Sequence, residues 1–237
     1  MTVMNPNPAT PTAKQILRKH ILALREQLPL ETRAAQSAVI TNRLLQLPQY
    51  QQAKAVLGYM NFGAEFASEL WVQRVLADGK KLALPRVNRR TMQLDLYWVN
   101  DLENQLAAGI WGIREPIVER CERVSTIFEV EFALLPGVAF TRDGGRLGYG
   151  GGFYDKLLMK QLATRLGEQT TLAKSLVMAQ LQDVNQAPRP SLVAAAFAMQ
   201  VVPDVPLETT DVKVEWLVTE HETIHCADAK SYCVTKR

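Results

Sequence analysis

LLPGVAFTRDGGRLGYGGGFYDKLL, residues 134–158, is the stretch on which the reading of this chain turns. Six of the chain's 13 glycines fall between Gly144 and Gly152. In front of them, Phe132–Leu135 is a short apolar run with the length of a buried strand. Behind them, Phe153–Leu166 repeats apolar residues at helical spacing. Strand, glycine-rich loop and helix in that order are a common way to hold phosphate. Glycines let backbone N–H groups approach an anion closely, and the helix turns its positive end toward it. Arg146 lies inside the loop and Asp155 at the start of the helix, a combination suited to a nucleotide with its metal ion.

The two commonest phosphate motifs are absent. A Walker loop ends in Gly-Lys-Ser/Thr, whereas Gly150 is followed by Gly151 and Gly152. In the dinucleotide pattern G-x-G-x-x-G started at Gly148, the third glycine falls on Phe153. General rules therefore reach an anion-binding loop and leave a mobile surface loop open. Arg146, Tyr149, Tyr154 and Asp155 within the same ten residues favour function.

The rest of the chain sets bounds. Its 237 residues suffice for one large domain with a substantial core. A net charge of +3, with 47% apolar and 22% charged residues, is ordinary for a globular protein. No lysine–arginine block resembles a nucleic-acid stripe; Arg86, Arg89 and Arg90 form a turn-like cluster. Three widely spaced cysteines fit a reducing cytosol better than a disulfide framework, so a cytoplasmic location is expected. No apolar run approaches the roughly 18 residues of a membrane span. The first 12 residues, polar and proline-rich, read as a disordered tail.

Ala13–Gln27 reads as a helix with Ile16, Leu17, His20, Ile21 and Leu24 on its apolar side. Lys14, Arg18, Lys19 and Arg25 fall on the opposite side. Lys14 and Arg18 share one face, either as a solvated basic surface or as a phosphate clamp; spacing does not choose. A second helix spans Glu31–Leu47. Ala53–Met60 reads as a strand, Ala67–Ala77 as a helix and Lys81–Leu84 as a strand stopped by Pro85, making one β-α-β unit. Glu65 follows the first strand, where open parallel sheets collect ligands. Thr91–Val99, Ser191–Val202 and Val214–Thr219 read as further strands, Asn100–Ile113 as loop or short helix, and Trp111 as a packing residue. Leu166–Pro190 is uninformative beyond an apolar run at Leu176–Leu181. Strands alternating with helices predict an α/β fold: one open, mainly parallel sheet with helices on both faces, a Rossmann-like three-layer arrangement.

His221-Glu222-Thr223-Ile224-His225 matches the zinc-protease pattern H-E-x-x-H. The context argues against it: the segment follows a predicted strand, contains β-branched Thr223 and Ile224, and has only 12 residues after it. A solvated C-terminal segment is expected instead.

The stretch RLGYGGGFYD, Arg146–Asp155, closely resembles the signature of the 5-formyltetrahydrofolate cyclo-ligase family. The likeness continues in KQILR (Lys14–Arg18), YMNFGAEFAS around Glu65, LALPRV, WGIREP and VVPDVPLETTDVKVEWLVTE. It covers roughly residues 13–220, with 221–237 as a C-terminal tail. It implies an ATP- and Mg²⁺-dependent enzyme that turns 5-formyltetrahydrofolate into 5,10-methenyltetrahydrofolate. A non-catalytic binding module of the same fold is the alternative. ATP and the formyl folate would be its partners, with no nucleic acid or membrane, and the chain would be a monomer.

The resemblance also implies residue roles. Lys14 and Arg18 match nucleotide-contacting positions. Arg146, Leu147, Gly148, Tyr149, Gly150, Gly151, Gly152, Phe153 and Tyr154 match the ATP loop, with Arg146 and Tyr154 near the chemistry. Asp155 and Asp211 match magnesium ligands. Met60 matches a folate-pocket position and Glu65 a pterin-binding one. Some relatives carry lysine where Gly151 stands and tyrosine where Phe153 stands. Arg114 occupies a position usually held by proline, Glu215 one usually aspartate, and Thr210 one often histidine.

Overall fold

The computed structural model describes residues 11–165 and 189–227. Helix α1 (Ala13–Glu26) opens with a capping box: the Thr12 hydroxyl accepts from the Gln15 N–H, and the Gln15 side chain accepts from the Thr12 N–H. Next come α2 (Leu30–Gln46) and α3 (Pro48–Gln52), with Pro48 in the first turn, where no N–H partner is needed. β1 (Ala55–Leu57), α4 (Ser68–Ala77), β2 (Lys81–Asn88) and β3 (Gln93–Val99) follow. β4 (Leu106–Ala108) and β5 (Arg114–Pro116) pair with each other, and β6 (Phe132–Leu135) rejoins the main sheet. β7 (Ala139–Phe140) and β8 (Arg146–Leu147) form a second small hairpin. α5 (Phe153–Arg165), β9 (Ser191–Ala195), β10 (Trp216–Val218) and β11 (Thr223–His225) complete the order.

The main sheet runs β11-β10-β9-β6-β1-β2-β3. Its inner pairs are parallel, and both edge strands pair antiparallel. Alternate strand residues enter opposite cores, as a period of two requires. Val56, Leu82, Phe132, Leu134 and Val193 pack with Ile40 and Leu44 of α2, Tyr50 of α3 and Trp71, Val72 and Val75 of α4. Leu57, Ala83, Ala133, Leu135 and Ala194 pack on the other side with Leu157 and Leu158 of α5. The three-layer α/β expectation holds. α1 stands outside these layers, with Ile21 seated against Val138, Ala139, Leu147 and Val205.

Several local expectations change. β2 continues through Pro85 to Asn88. Pro85 pairs with Leu96, whose carbonyl accepts from Val124 on the far side of β3. This is a non-hydrogen-bonded pair, so the missing N–H of Pro85 points away from β3 and past the end of β1. Asn100–Ile113, expected as loop or short helix, is loop with a single 3₁₀ turn at Ile110–Gly112 and in addition supplies β4. The expected strand from Ser191 stops at Ala195 and gives way to a 3₁₀ turn at Ala198–Gln200. His221–His225 is neither helical nor the solvated C-terminal segment expected, since Ile224 and Cys226 are buried in the core beside β10. Thr223–His225 joins the sheet edge, and the His225 ring stacks on Trp216 at 4.4 Å while His221 stays exposed, so the two histidines do not form a helical zinc face. The Leu176–Leu181 run lies outside the described residues.

Trp71 is fully buried against Tyr50 and Phe132, and its indole N–H has no hydrogen-bond partner. Trp71→Ala should cost about 3–5 kcal/mol in urea denaturation. Trp71→Phe should cost clearly less, because it removes the unpaired donor along with the volume. Burial also pushes the Cys226 thiol up to about 12. Cys226 should therefore resist thiol reagents at pH 8 until the chain unfolds, as read by mass spectrometry of labelled peptides.

Candidate active site

Chain order in the sheet places a crevice. From β1 the chain moves to β2 on one side, and later returns with β6 on the other. Such a reversal leaves a gap outside the carboxyl ends of the two central strands. Tyr59 and Met60, just after β1, and Pro136, just after β6, line a cleft of about 500 Å³ there. One wall is apolar, with Leu84, Val87, Leu94 and Ile113. The other is the glycine loop, contributing Gly148, Tyr149, Gly151, Gly152, Phe153 and Tyr154. Glu65, Arg146 and Asp155 bring charge into it.

The glycine cluster divides into two parts. Gly144 and Gly145 belong to the turn between β7 and β8, and Gly144 adopts φ +89°. A Cβ there would lie 2.2 Å from the Val214 carbonyl, so the turn admits only glycine. Residues 148–152 form the loop proper, which crosses from β8 to α5. Gly150 at φ +108° carries it over the guanidinium of Arg18, whose Nε donates to the Gly148 carbonyl at 2.8 Å.

Arg146 anchors the loop. Its side chain is almost wholly buried; Nη2 donates to Asp155 Oδ1 at 2.7 Å and Nη1 to the Pro136 carbonyl at 3.2 Å. Arg146 Nε has no hydrogen-bond partner. Asp155 Oδ1 also accepts from the Val212 N–H at 3.0 Å, which draws the Asp211 segment to the same point. Lys14 Nζ binds Asp211 Oδ2 at 2.7 Å and Glu208 at 2.9 Å. In each aspartate the bonds fall on one oxygen, Oδ1 of Asp155 and Oδ2 of Asp211. Carboxylates beside the glycine loop are hard donors of the kind that fit Mg²⁺.

In the same cleft, Glu65 is 7% exposed and accepts from the Phe62 N–H at 2.6 Å. Burial raises its carboxyl above the ordinary 4.5, while the hydroxyl of Tyr149 and the charge of Arg25 oppose that rise. Burial and the nearby Glu65 charge push the Tyr149 and Tyr154 hydroxyls up, so both stay protonated donors.

The structure thus brings Met60, Glu65, Arg146, Gly148, Tyr149, Gly151, Gly152, Phe153, Tyr154 and Asp155 around one cleft. Lys14, Arg18, Gly150 and Asp211 stand behind the loop. Leu147 is buried away from the cleft against α1, and its carbonyl accepts from Val138.

Three further residues were not legible as site residues. Trp111 is not a packing residue: it is 60% exposed, lines the cleft and meets the Phe153 ring edge-on at 6.4 Å. Its φ of +59° is unusual for a bulky side chain and stores on the order of 1–3 kcal/mol. Lys156 folds back from the first turn of α5, and its Nζ donates to the Gly151 carbonyl at 3.0 Å. A Cβ on Gly151 would sit 2.5 Å from the Phe153 ring, so a side chain at 151 and this ring placement exclude each other. Arg25 does not belong to a solvated face. It is 3% exposed and donates to the Tyr149 hydroxyl at 2.7 Å. Within α1 only Ile21 and Arg25 are buried; Leu17, Leu22 and Leu24 pack half-buried beside Ile21, Lys14 and Arg18 are half-buried too, and Ile16 and His20 face outward.

Among the described residues no helix is long and apolar enough to cross a membrane. The model of the 5-formyltetrahydrofolate cyclo-ligase family matches residues 10–220. A mouse 5-formyltetrahydrofolate cyclo-ligase is 27% identical over 213 residues, covering 88% of this chain and 94% of its own length. That of Mycolicibacterium smegmatis is 31% identical over 157 residues, covering 65% and 79%. The NMR structure of Aquifex aeolicus 5,10-methenyltetrahydrofolate synthetase superposes with a TM-score of 0.71 at 30% identity, covering 92% of this chain and 94% of that one. The corresponding synthetase of Mycoplasma pneumoniae shares the fold, with a TM-score of 0.60 at 18% identity, covering 88% and 99%. With a match that runs from α1 through the glycine loop to β10, this chain belongs to the 5-formyltetrahydrofolate cyclo-ligase family.

Proposed function

We propose that this cleft closes the folate ring, converting 5-formyltetrahydrofolate and ATP to 5,10-methenyltetrahydrofolate, ADP and phosphate. The observation that supports the reading is that one cleft combines three kinds of lining. It holds a glycine loop with Arg146 and Asp155, a buried acceptor, Glu65, and an apolar wall. About 500 Å³ accommodates a pterin-sized ring.

The chemistry asks for positioning more than for a protein nucleophile. The N5-formyl carbon is amide-like, and its oxygen is a poor leaving group. Transfer of the γ-phosphoryl group to that oxygen makes it a good one. N10 then attacks the carbon, the ring closes, and phosphate departs with the former formyl oxygen. In this scheme the N–H groups of residues 148–152 hold the phosphates, with Arg18 and Lys14 behind them. Arg146 lies where the loop meets the folate end and opposes the charge that develops on transfer. Glu65 accepts from the N–H donors of the pterin. Met60 and Tyr59 flank the ring, and the Tyr154 hydroxyl donates near the formyl group. Mg²⁺, held through Asp155 and Asp211, would neutralise phosphate charge. Lys156 supplies the cation that some relatives carry at the position of Gly151.

Methenyl absorbance appearing from 5-formyltetrahydrofolate and MgATP tests the reading. ATP binding without that absorbance would identify a binding module instead. Asp155→Asn keeps the shape and an acceptor for Val212, and should lower kcat by about 100-fold or more. Near-wild-type turnover in that variant would remove Asp155 from its role. Lys156→Ala should raise KM for ATP several-fold, more at low salt than at high, and leave KM for the folate unchanged.

A further inference from the structure

We propose that Arg25 is a positioning residue for the folate end of the cleft, acting on Glu65 through Tyr149. The inference rests on the cyclo-ligase reading and adds to it a residue outside the signature. Arg25 is nine-tenths buried near the end of α1, well away from the loop in sequence. Its Nη2 donates to the Tyr149 hydroxyl at 2.7 Å, with the guanidinium carbon 5.6 Å from the tyrosine ring centre. The Tyr149 hydroxyl and the Glu65 carboxylate line the same cleft, and the phenol favours the ionised carboxylate. The three groups make one directional chain, from cation through phenol to carboxylate.

The same guanidinium leaves Nε and Nη1 buried without a hydrogen-bond partner. Stability alone would not keep such a residue: an apolar side chain of the same length fills the space with no unpaired donors. What the arginine adds is direction and charge. It turns the Tyr149 hydroxyl proton toward Glu65, and it favours the ionised carboxylate that burial opposes. The groups facing Glu65 are Arg25 from α1, Tyr149 from the loop, Tyr59 from the end of β1 and Tyr154 from α5. Among them Arg25 is the cation. An ionised Glu65 offers two acceptor oxygens to the pterin, whereas a protonated one offers a competing donor.

The experiment is steady-state kinetics with both substrates over a range of pH, on wild type, Arg25→Met, Arg25→Lys, Tyr149→Phe and Glu65→Gln. Loss of a charge-assisted hydrogen bond should raise KM for 5-formyltetrahydrofolate roughly ten- to a hundredfold in Arg25→Met and Tyr149→Phe. kcat and KM for ATP should change far less. Removing the cation raises the carboxyl further, so the acid limb of kcat/KM for the folate should move to higher pH in Arg25→Met. Arg25→Lys should restore part of both effects. On a Glu65→Gln background, Arg25→Met should add nothing. An unchanged folate KM and acid limb in an active, folded Arg25→Met would overturn the proposal. Equal losses for both substrates with a lowered Tm would also overturn it, in favour of a merely structural role. If Arg25→Met does not fold, Tyr149→Phe and Arg25→Lys decide on the same two readouts. Absence of methenyl formation by wild type would instead defeat the underlying reading, and this proposal with it.

Discussion

The ion pair between Arg146 and Asp155 is the constraint on which the cleft depends. It joins β8 to the first turn of α5, and its other bonds reach the exit of β6 through Pro136 and the approach to β10 through Val212. Four segments, three of them neighbours in sequence and the fourth 57 positions on, meet at one guanidinium and one carboxylate. Removing Asp155 would leave the buried Arg146 guanidinium without its charge partner, at a cost on the order of 3–5 kcal/mol. With both ends pinned, the loop at 148–152 has little freedom, and its glycines adopt positive φ where the short span requires it. The curvature that exposes the loop's N–H groups follows from the ion pair as much as from the glycines.

Where pattern and physics agree, the chain is readable. Phe132–Leu135 has the uniform apolar character of a strand buried on both faces, and the alternation of strands and helices leads directly to the layered sheet. The strand–loop–helix order and the acceptor Glu65 after β1 were legible for the same reason. The misreadings share a cause: local rules assume that charge seeks water and that proline ends a strand. Arg25 is buried because Tyr149 and Glu65, far away in sequence, wait for it. Pro85 is tolerated because β1 has already ended beside it. Trp111 faces outward over the cleft because a short turn with two positive φ values, at Trp111 and Gly112, directs it there.

The loop also explains how alternatives at one position are tied to others. Gly151 leaves the space that the Phe153 ring occupies, and Lys156 reaches back to the carbonyl that Gly151 presents. A side chain at 151 would displace the ring, alter its contact with Trp111 and compete with Lys156 for the same surface. Substitutions in this loop are therefore coupled, and single changes should not add.

Helix α1 has a consequence for assembly. It is the first described element of the chain, yet its functional contacts reach Gly148, Tyr149, Glu208 and Asp211. Contacts of such long sequence separation form late, after the intervening loop entropy has been overcome. During synthesis the sheet core can gather strand by strand, but Lys14 meets Asp211 only once the segment 197 positions later has emerged. Although α1 precedes the sheet strands in sequence, it is thus among the last elements to dock, and the cleft is complete only once the segment at 208–212 is in place.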